Sequence, residues 1–272
     1  MADDSTRIMS KVPAVTLGFW IIKILATTLG ETGGDSVTMS WLGETTPHAV
    51  PGGYLIGTAI FAALLIILVF VQIRARAFNP WVYWAAIVAS TTCGTTLADF
   101  ADRSLGIGYP GGSLLLLACV LLSLFTWHRT LGTVNVNRIA GPREETFYWI
   151  TITFSQTLGT ALGDWSADDF DEGGWGLGYS GAALLFGAAL ALLAILYFTT
   201  KANRVFLFWA AFILTRPLGA TVGDFLDKPV THGGLELSRP IASAVMAILI
   251  ILLILILPQQ PGSHPGAEEA PA

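Results

Sequence analysis

Residues 19–35 read FWIIKILATTLGETGGD, and three later stretches align with them without a gap: YWAAIVASTTCGTTLAD at 83–99, YWITITFSQTLGTALGD at 148–164 and FWAAFILTRPLGATVGD at 208–224. Each opens on an aromatic–Trp pair: Phe19-Trp20, Tyr83-Trp84, Tyr148-Trp149 and Phe208-Trp209. Ten residues after each Trp stands a Gly (Gly30, Gly94, Gly159, Gly219), and fifteen after it an Asp (Asp35, Asp99, Asp164, Asp224). A small residue precedes each Asp: Gly34, Ala98, Gly163, Gly223. The Trp-to-Trp intervals are 64, 65 and 60 residues, so the chain is one unit repeated four times.

Around these copies the chain is 53% hydrophobic and 12% charged, with a mean hydropathy of +0.65. Soluble domains carry about a quarter charged residues, so an integral membrane protein is expected. Apolar runs fall at roughly 13–34, 53–74, 80–99, 112–128, 146–164, 181–198, 205–224 and 239–258. Most approach the ~20 residues that a spanning helix requires. The expected fold is an all-α integral membrane protein with eight transmembrane helices, arranged as four parallel two-helix repeats. Parallel, because an even number of helices returns every copy to the side it started from. A pseudo-four-fold bundle, or a pseudo-two-fold one of paired repeats, follows.

The expected divisions are a cytoplasmic tail over 1–12, a single membrane domain over 13–258 and a tail over 259–272. Repeats run about 13–78, 79–142, 143–203 and 204–258. The Pro-, Gly- and Glu-rich C-terminal tail is expected to be disordered, and the first dozen residues similarly. The first apolar segment holds the full motif and lacks an evident small-x-small cleavage site, so it is read as a retained helix, not a signal peptide. Cys93 and Cys119 lie inside apolar segments and form no disulfide framework or thiolate metal site.

Lys and Arg are unequally shared between the two sides. Arg7, Lys11, Arg74, Arg76, Arg129, Arg138, Arg143, Lys201 and Arg204 lie with the N-terminus and the turns between repeats; Arg103, Lys228 and Arg239 lie opposite. The positive-inside rule then places both termini in the cytoplasm.

The Gly and the small residue four positions on form a small-xxx-small pattern, read first as close helix packing. The aromatic–Trp pairs are read as interface anchors or packing residues. Positions eight, eleven and fifteen after each Trp fall on one stripe. It reads Thr28-Glu31-Asp35, Thr92-Thr95-Asp99, Thr157-Thr160-Asp164 and Pro217-Ala220-Asp224. Asp102, Asp168 and Asp227 continue the acid beyond the repeated Asp, as an outer vestibule that attracts cations. Lys23 and Arg216 lie within the helices, and Lys23 shares a stripe with Thr27, Glu31 and Asp35. Ionisable groups at membrane depth are functional-site candidates. Their plain alternatives are a static ion pair for Lys23 and Arg216, and a loop-bridging role for the four Asp.

With these residues the chain resembles a bacterial family of membrane proteins built of four tandem two-helix repeats, each with a Trp, catalogued as a repeat of unknown function. The resemblance covers roughly residues 13 to 258. It implies the fold plan and a bacterial inner membrane, and cation movement is attributed to some such proteins.

The function expected is secondary-active export of a hard cation in exchange for protons, an alkali metal ion first and a divalent such as manganese or magnesium next. Carboxylate and hydroxyl oxygens suit hard cations. Asp35, Asp99, Asp164, Asp224 and Glu31 would bind cation or proton, Thr28, Thr92, Thr95, Thr157 and Thr160 would add neutral oxygens, and Lys23 and Arg216 would tune the carboxylates. Partners are the cation, protons and the bilayer; no nucleic acid and no cofactor is expected, and self-association is left open. The rival readings are a channel or uptake carrier without proton exchange, and a non-transporting scaffold. An enzyme is the weakest reading: a Gly-x-Gly-Asp protease element fails at Thr32 and Ala161.

Overall fold

The computed structural model describes residues 10–262. Among the described residues it is an all-helical chain of eight long helices: α1 Leu17–Asp35, α2 Gly53–Arg74, α3 Pro80–Asp99, α4 Tyr109–Leu131, α5 Pro142–Ala167, α6 Gly178–Thr199, α7 Arg204–Asp227 and α8 Arg239–Ile256. Local sequence sets where the repeated helices begin. The Thr16 hydroxyl accepts from Phe19 N, Asn79 Oδ1 from Trp81 N and Val82 N, and Asn203 Oδ1 from Val205 N and Phe206 N. Such side chains satisfy the free N–H groups of a first turn. Helix α5 starts instead on Pro142, whose missing N–H costs nothing there.

Helices α1, α3, α5 and α7 form a closed ring, each in contact with the next and α7 with α1. The second helix of each copy does not pack chiefly on its own first helix. It lies against the first helix of the following copy: α2 on α3, α4 on α5, α6 on α7, and α8 back on α1. Every copy is thereby stapled to its successor, and the last to the first.

Five helices, α2, α4, α6, α7 and α8, are long and apolar enough to cross a membrane. The four outer ones bury only 22%, 22%, 11% and 17% of their most apolar stretch. Apolar side chains such as Ile60, Leu121, Leu184 and Leu252 point away from the ring. A helix apolar on all sides suits lipid, and the chain has the form of a multi-pass membrane protein. Helices α1, α3 and α5 fall short of that apolarity because they carry the Thr, Gly and acidic stripe, which faces inward.

At one end of the ring the aromatic–Trp pairs interlock. Phe19 meets Trp84 at 5.5 Å between ring centroids, Tyr83 meets Trp149 at 5.8 Å, Tyr148 meets Trp209 at 6.2 Å and Phe208 meets Trp20 at 5.8 Å. The pairs are thus a continuous packed belt rather than surface anchors; Tyr83 and Trp84 are almost fully buried.

The expected tails are only partly tails. Residues 10–14 pair with 260–262 through Ala14 N to Gln260 O (2.8 Å) and Gly262 N to Val12 O (2.8 Å). Lys11 donates from Nζ to the carbonyls of Gln72, Ile73 and Ala75 at the end of α2 and pairs with Glu145. Trp84 Nε1 donates to Gln259 Oε1 (3.2 Å). Backbone groups that find partners here hold the strap in place beneath the belt, where composition alone points to a free tail. The rest of the two expected tails, 1–9 and 263–272, lies outside the described residues.

Candidate functional site

An interior column of side chains runs from the belt to the repeated Asp, in steps of four residues. Three residues after each Trp stand Lys23, Ile87, Ile152 and Phe212; at seven, Thr27, Thr91, Gln156 and Arg216; at eleven, Glu31, Thr95, Thr160 and Ala220; at fifteen, Asp35, Asp99, Asp164 and Asp224. All sixteen are buried. The glycines make this closeness possible. A β-carbon on Gly30 would collide with Thr91, on Gly94 with Gln156, on Gly159 with Arg216 and on Gly219 with Thr27. Each helix therefore seats the seven-after-Trp side chain of its successor in its own Gly notch, and small-xxx-small is a packing device here.

Arg216 is the centre of the column. Its Cβ and Cγ lie against Gly159, and the two N–H groups of its Nη2 are shared among Glu31 Oε2 (2.9 Å), Thr95 Oγ1 (2.6 Å) and Thr160 Oγ1 (2.5 Å). One guanidinium thus ties α7 to α1, α3 and α5. Glu31 Oε2 also accepts from Thr95 Oγ1 at 3.3 Å. Lys23 is a different case: its ammonium lies 4.1 Å from the Phe212 ring centroid, and Nζ is buried with no hydrogen-bond partner.

At the level of the four Asp the copies diverge. Lys228 Nζ donates to Asp35 Oδ2 at 2.6 Å and lies 3.1 Å from Asp224 Oδ1. Arg103 Nε donates to Asp99 Oδ1 at 3.0 Å. Asp164 makes no ion pair among the described residues. Arg239 Nε lies 3.7 Å from Asp227 and 4.0 Å from Asp35. Asp168 accepts from the Tyr109 hydroxyl at 2.5 Å. Asp102 sits in the π-helical turn Phe100–Ser104 after α3, with Oδ1 buried and unpartnered. The carboxylates of Glu31, Asp35 and Asp224 each offer an oxygen within 4.8 Å of the others, a group able to hold a metal ion.

Of the residues singled out from sequence, the structure gathers Glu31, Thr95, Thr160 and Arg216 in one network and Asp35 with Asp224 beside it. Thr28, Thr92 and Thr157 are not brought there. Their hydroxyls donate to Ile24 O, Val88 O and Thr153 O on their own helices. They stand one residue past the seven-after-Trp position, and one residue turns the side chain about 100° around a helix of 3.6 residues per turn. The inward neutral position is therefore the one occupied by Thr27, Thr91 and Gln156. Of the two buried cations, Arg216 does pair with a carboxylate across the bundle, Glu31, whereas Lys23 pairs with none among the described residues. Lys228, Arg103 and Arg239 enter the site although the charge count treated them only as loop residues. Their signal was present: Lys228 and Arg103 each stand four after a repeated Asp, on the same helix face.

No curated protein and no solved structure matches the chain at a significant level. One repeat family does match, over residues 18–78, 82–133, 147–203 and 207–258. These four blocks each take in one column-forming helix and the outer helix that follows it. The chain belongs to the family described as Repeat of Unknown Function (DUF347), with four copies in tandem.

Proposed function

We propose that this chain is a secondary-active transporter of the bacterial inner membrane that exports a hard cation in exchange for protons. In this reading all eight helices span the bilayer, the four repeats run parallel, both termini are cytoplasmic and the belt faces the cytoplasm. Chemistry that breaks bonds has no part in it.

One observation carries the reading: three carboxylates, Glu31, Asp35 and Asp224, share one site with two tethered cations, Arg216 and Lys228. Three negative and two positive groups, with Asp227 and Arg239 beside them adding one charge of each sign, leave one negative charge, which a single proton or a single alkali metal ion neutralises. The same oxygen ligands accept either. Burying an unneutralised charge is costly, so the site favours holding one or the other at all times, which is the requirement of exchange. A divalent ion is accommodated only by releasing one tethered cation, and it ranks second. The belt and the strap close the column at the cytoplasmic end, and Lys228 and Arg239 close it over the carboxylates at the other, so this conformation is the occluded one.

The test is cation-dependent proton movement in everted vesicles loaded with a proton gradient and a pH-sensitive dye. Lithium, sodium, potassium, magnesium and manganese chlorides are offered in turn. Dequenching by one alkali ion, lost in Glu31→Gln and Asp224→Asn variants that reach the membrane in normal amount, is the expected result. Ion flux without proton movement would select a channel or uptake carrier. No response to any ion, with protein and gradient both demonstrated, overturns transport and leaves the scaffold.

A further inference from the structure

An open cavity of about 460 Å3 lies at the carboxylate end, off the ring axis, between the loop after α7 and the start of α8. Its lining includes Ser40, Asp227, Glu236, Ser238 and Arg239. Two of these residues also reach the buried ring. Arg239 Nε stands 3.7 Å from Asp227 Oδ2 and 4.0 Å from Asp35 Oδ2, so one guanidinium lies between the cavity and Asp35.

The groups around that guanidinium are incompletely partnered. Both Asp227 oxygens, Asp35 Oδ1 and Arg239 Nε are buried without a hydrogen-bond partner. Asp35 is fully buried and Asp227 is 5% exposed. A buried polar group left unpaired carries its full desolvation penalty, and more when charged. Carboxylate oxygens in this state, beside an open cavity, make a ligand set for a hard cation. Arg239 is too distant from both carboxylates for a hydrogen bond, and it is the first residue of α8. It therefore holds its place by charge, and a mobile cation in the cavity competes for the same carboxylates.

We propose that this cavity is the outer chamber through which the exported cation leaves, with Asp227 as its last ligand and Arg239 as the gate in front of Asp35, Asp224 and Glu31. The assignment of a transported ion rests on the exchanger reading; the gate itself does not. A cation arriving at Asp35 from within the column weakens the hold on Arg239 from the inner side. When the guanidinium moves out, Asp35 opens to the chamber and the ion passes from it to Asp227.

The experiment reads access rather than flux. In membranes containing the Cys93→Ala/Cys119→Ala protein, a thiol is introduced at Ser238→Cys, in the chamber, or at Met39→Cys, behind the gate. Met39 is buried, with Sδ 3.6 Å from Lys228 Nζ. A membrane-impermeant methanethiosulfonate ammonium reagent should label Ser238→Cys rapidly and Met39→Cys slowly. Adding Arg239→Ala should raise the Met39→Cys rate about tenfold or more, the factor that ~1.4 kcal/mol represents. An unchanged rate overturns the gate. So does an equal rise caused by Asp102→Asn, away from the chamber, which would report general loosening. Modification of Ser238→Cys should also stop the exchange measured in vesicles. Gated labelling without flux of any ion would retain the chamber and sink the exchanger; flux unaffected by a fully modified Ser238→Cys would do the reverse.

Discussion

Among the described residues, Glu31 and Arg216 form the most enclosed ion pair of the column, and each is costly alone. Breaking a buried pair by removing one partner typically destabilises by about 3–5 kcal/mol, whereas replacing both with neutral groups is often harmless. Glu31→Gln is expected to lower stability by that amount, and Glu31→Gln/Arg216→Met to recover most of it. Denaturant unfolding in detergent measures both, and equal losses in the single and double variants would show that the pair is not coupled. Lys23 has no such partner: its Nζ is buried and unbonded above Phe212. Lys23→Met removes an unsatisfied donor, so stability should rise by about 1–3 kcal/mol. On the exchanger reading, ion exchange should fall in the same variant, because the charge lost lies inside the column. A destabilised variant would mean that Lys23 holds a partner in the folded protein.

At the scale of the element, the repeated glycines set how close the four column helices lie. Gly159→Ala puts a methyl group where the Arg216 side chain and backbone now stand. Overpacking of this kind costs about 1–3 kcal/mol, and it should also displace the guanidinium from Glu31, lowering thermal stability and, on the exchanger reading, flux with it. Gly187, on the outer helix α6, has open space around its Cα. Gly187→Ala should leave function intact and stabilise the helix by up to about 1 kcal/mol. The aromatic belt is a second shared element. Trp84 touches Phe19 and Tyr83, and it is 1% exposed. Trp84→Ala should cost about 3–5 kcal/mol, read as reduced folded protein after detergent extraction. The two termini of the helices differ in the same physical sense: apolar surface closes one end of the column and charge closes the other.

For the whole molecule, closure is the defining property. Because α8 packs on α1 and residues 10–14 pair with 260–262, the described residues finish beside the point where they start. A circular permutant with its original termini joined and new ones opened between Thr200 and Lys201 should assemble normally. That turn is exposed and lies between repeats, where such openings are tolerated. Monodisperse elution and a near-parental unfolding temperature would support closure. Deleting α8 should do the opposite, baring the α1 face that it covers and preventing recovery of folded protein.

The sequence by itself determined the repeat, its two-helix composition and the helix on which each acid lies. Period, apolar runs and the fixed Trp-to-Asp spacing are properties of one strand of residues, readable without neighbours. It also determined that Lys23, Thr27, Glu31 and Asp35 share a face, because helical geometry fixes that for any residues spaced by four. Which side of a repeat faces the column was not so determined. Thr28 and Thr27 are adjacent and chemically alike, and only the fit of Thr27 into the Gly219 notch turns one toward α7. The pairing of charges was likewise decided in three dimensions: Lys228 is 193 residues from Asp35 and Arg216 is 185 from Glu31. The handover of each outer helix to the next repeat belongs to the same class. Two identical copies offer an outer helix two equivalent faces, and only the closed ring, in which α8 must cover α1, selects between them.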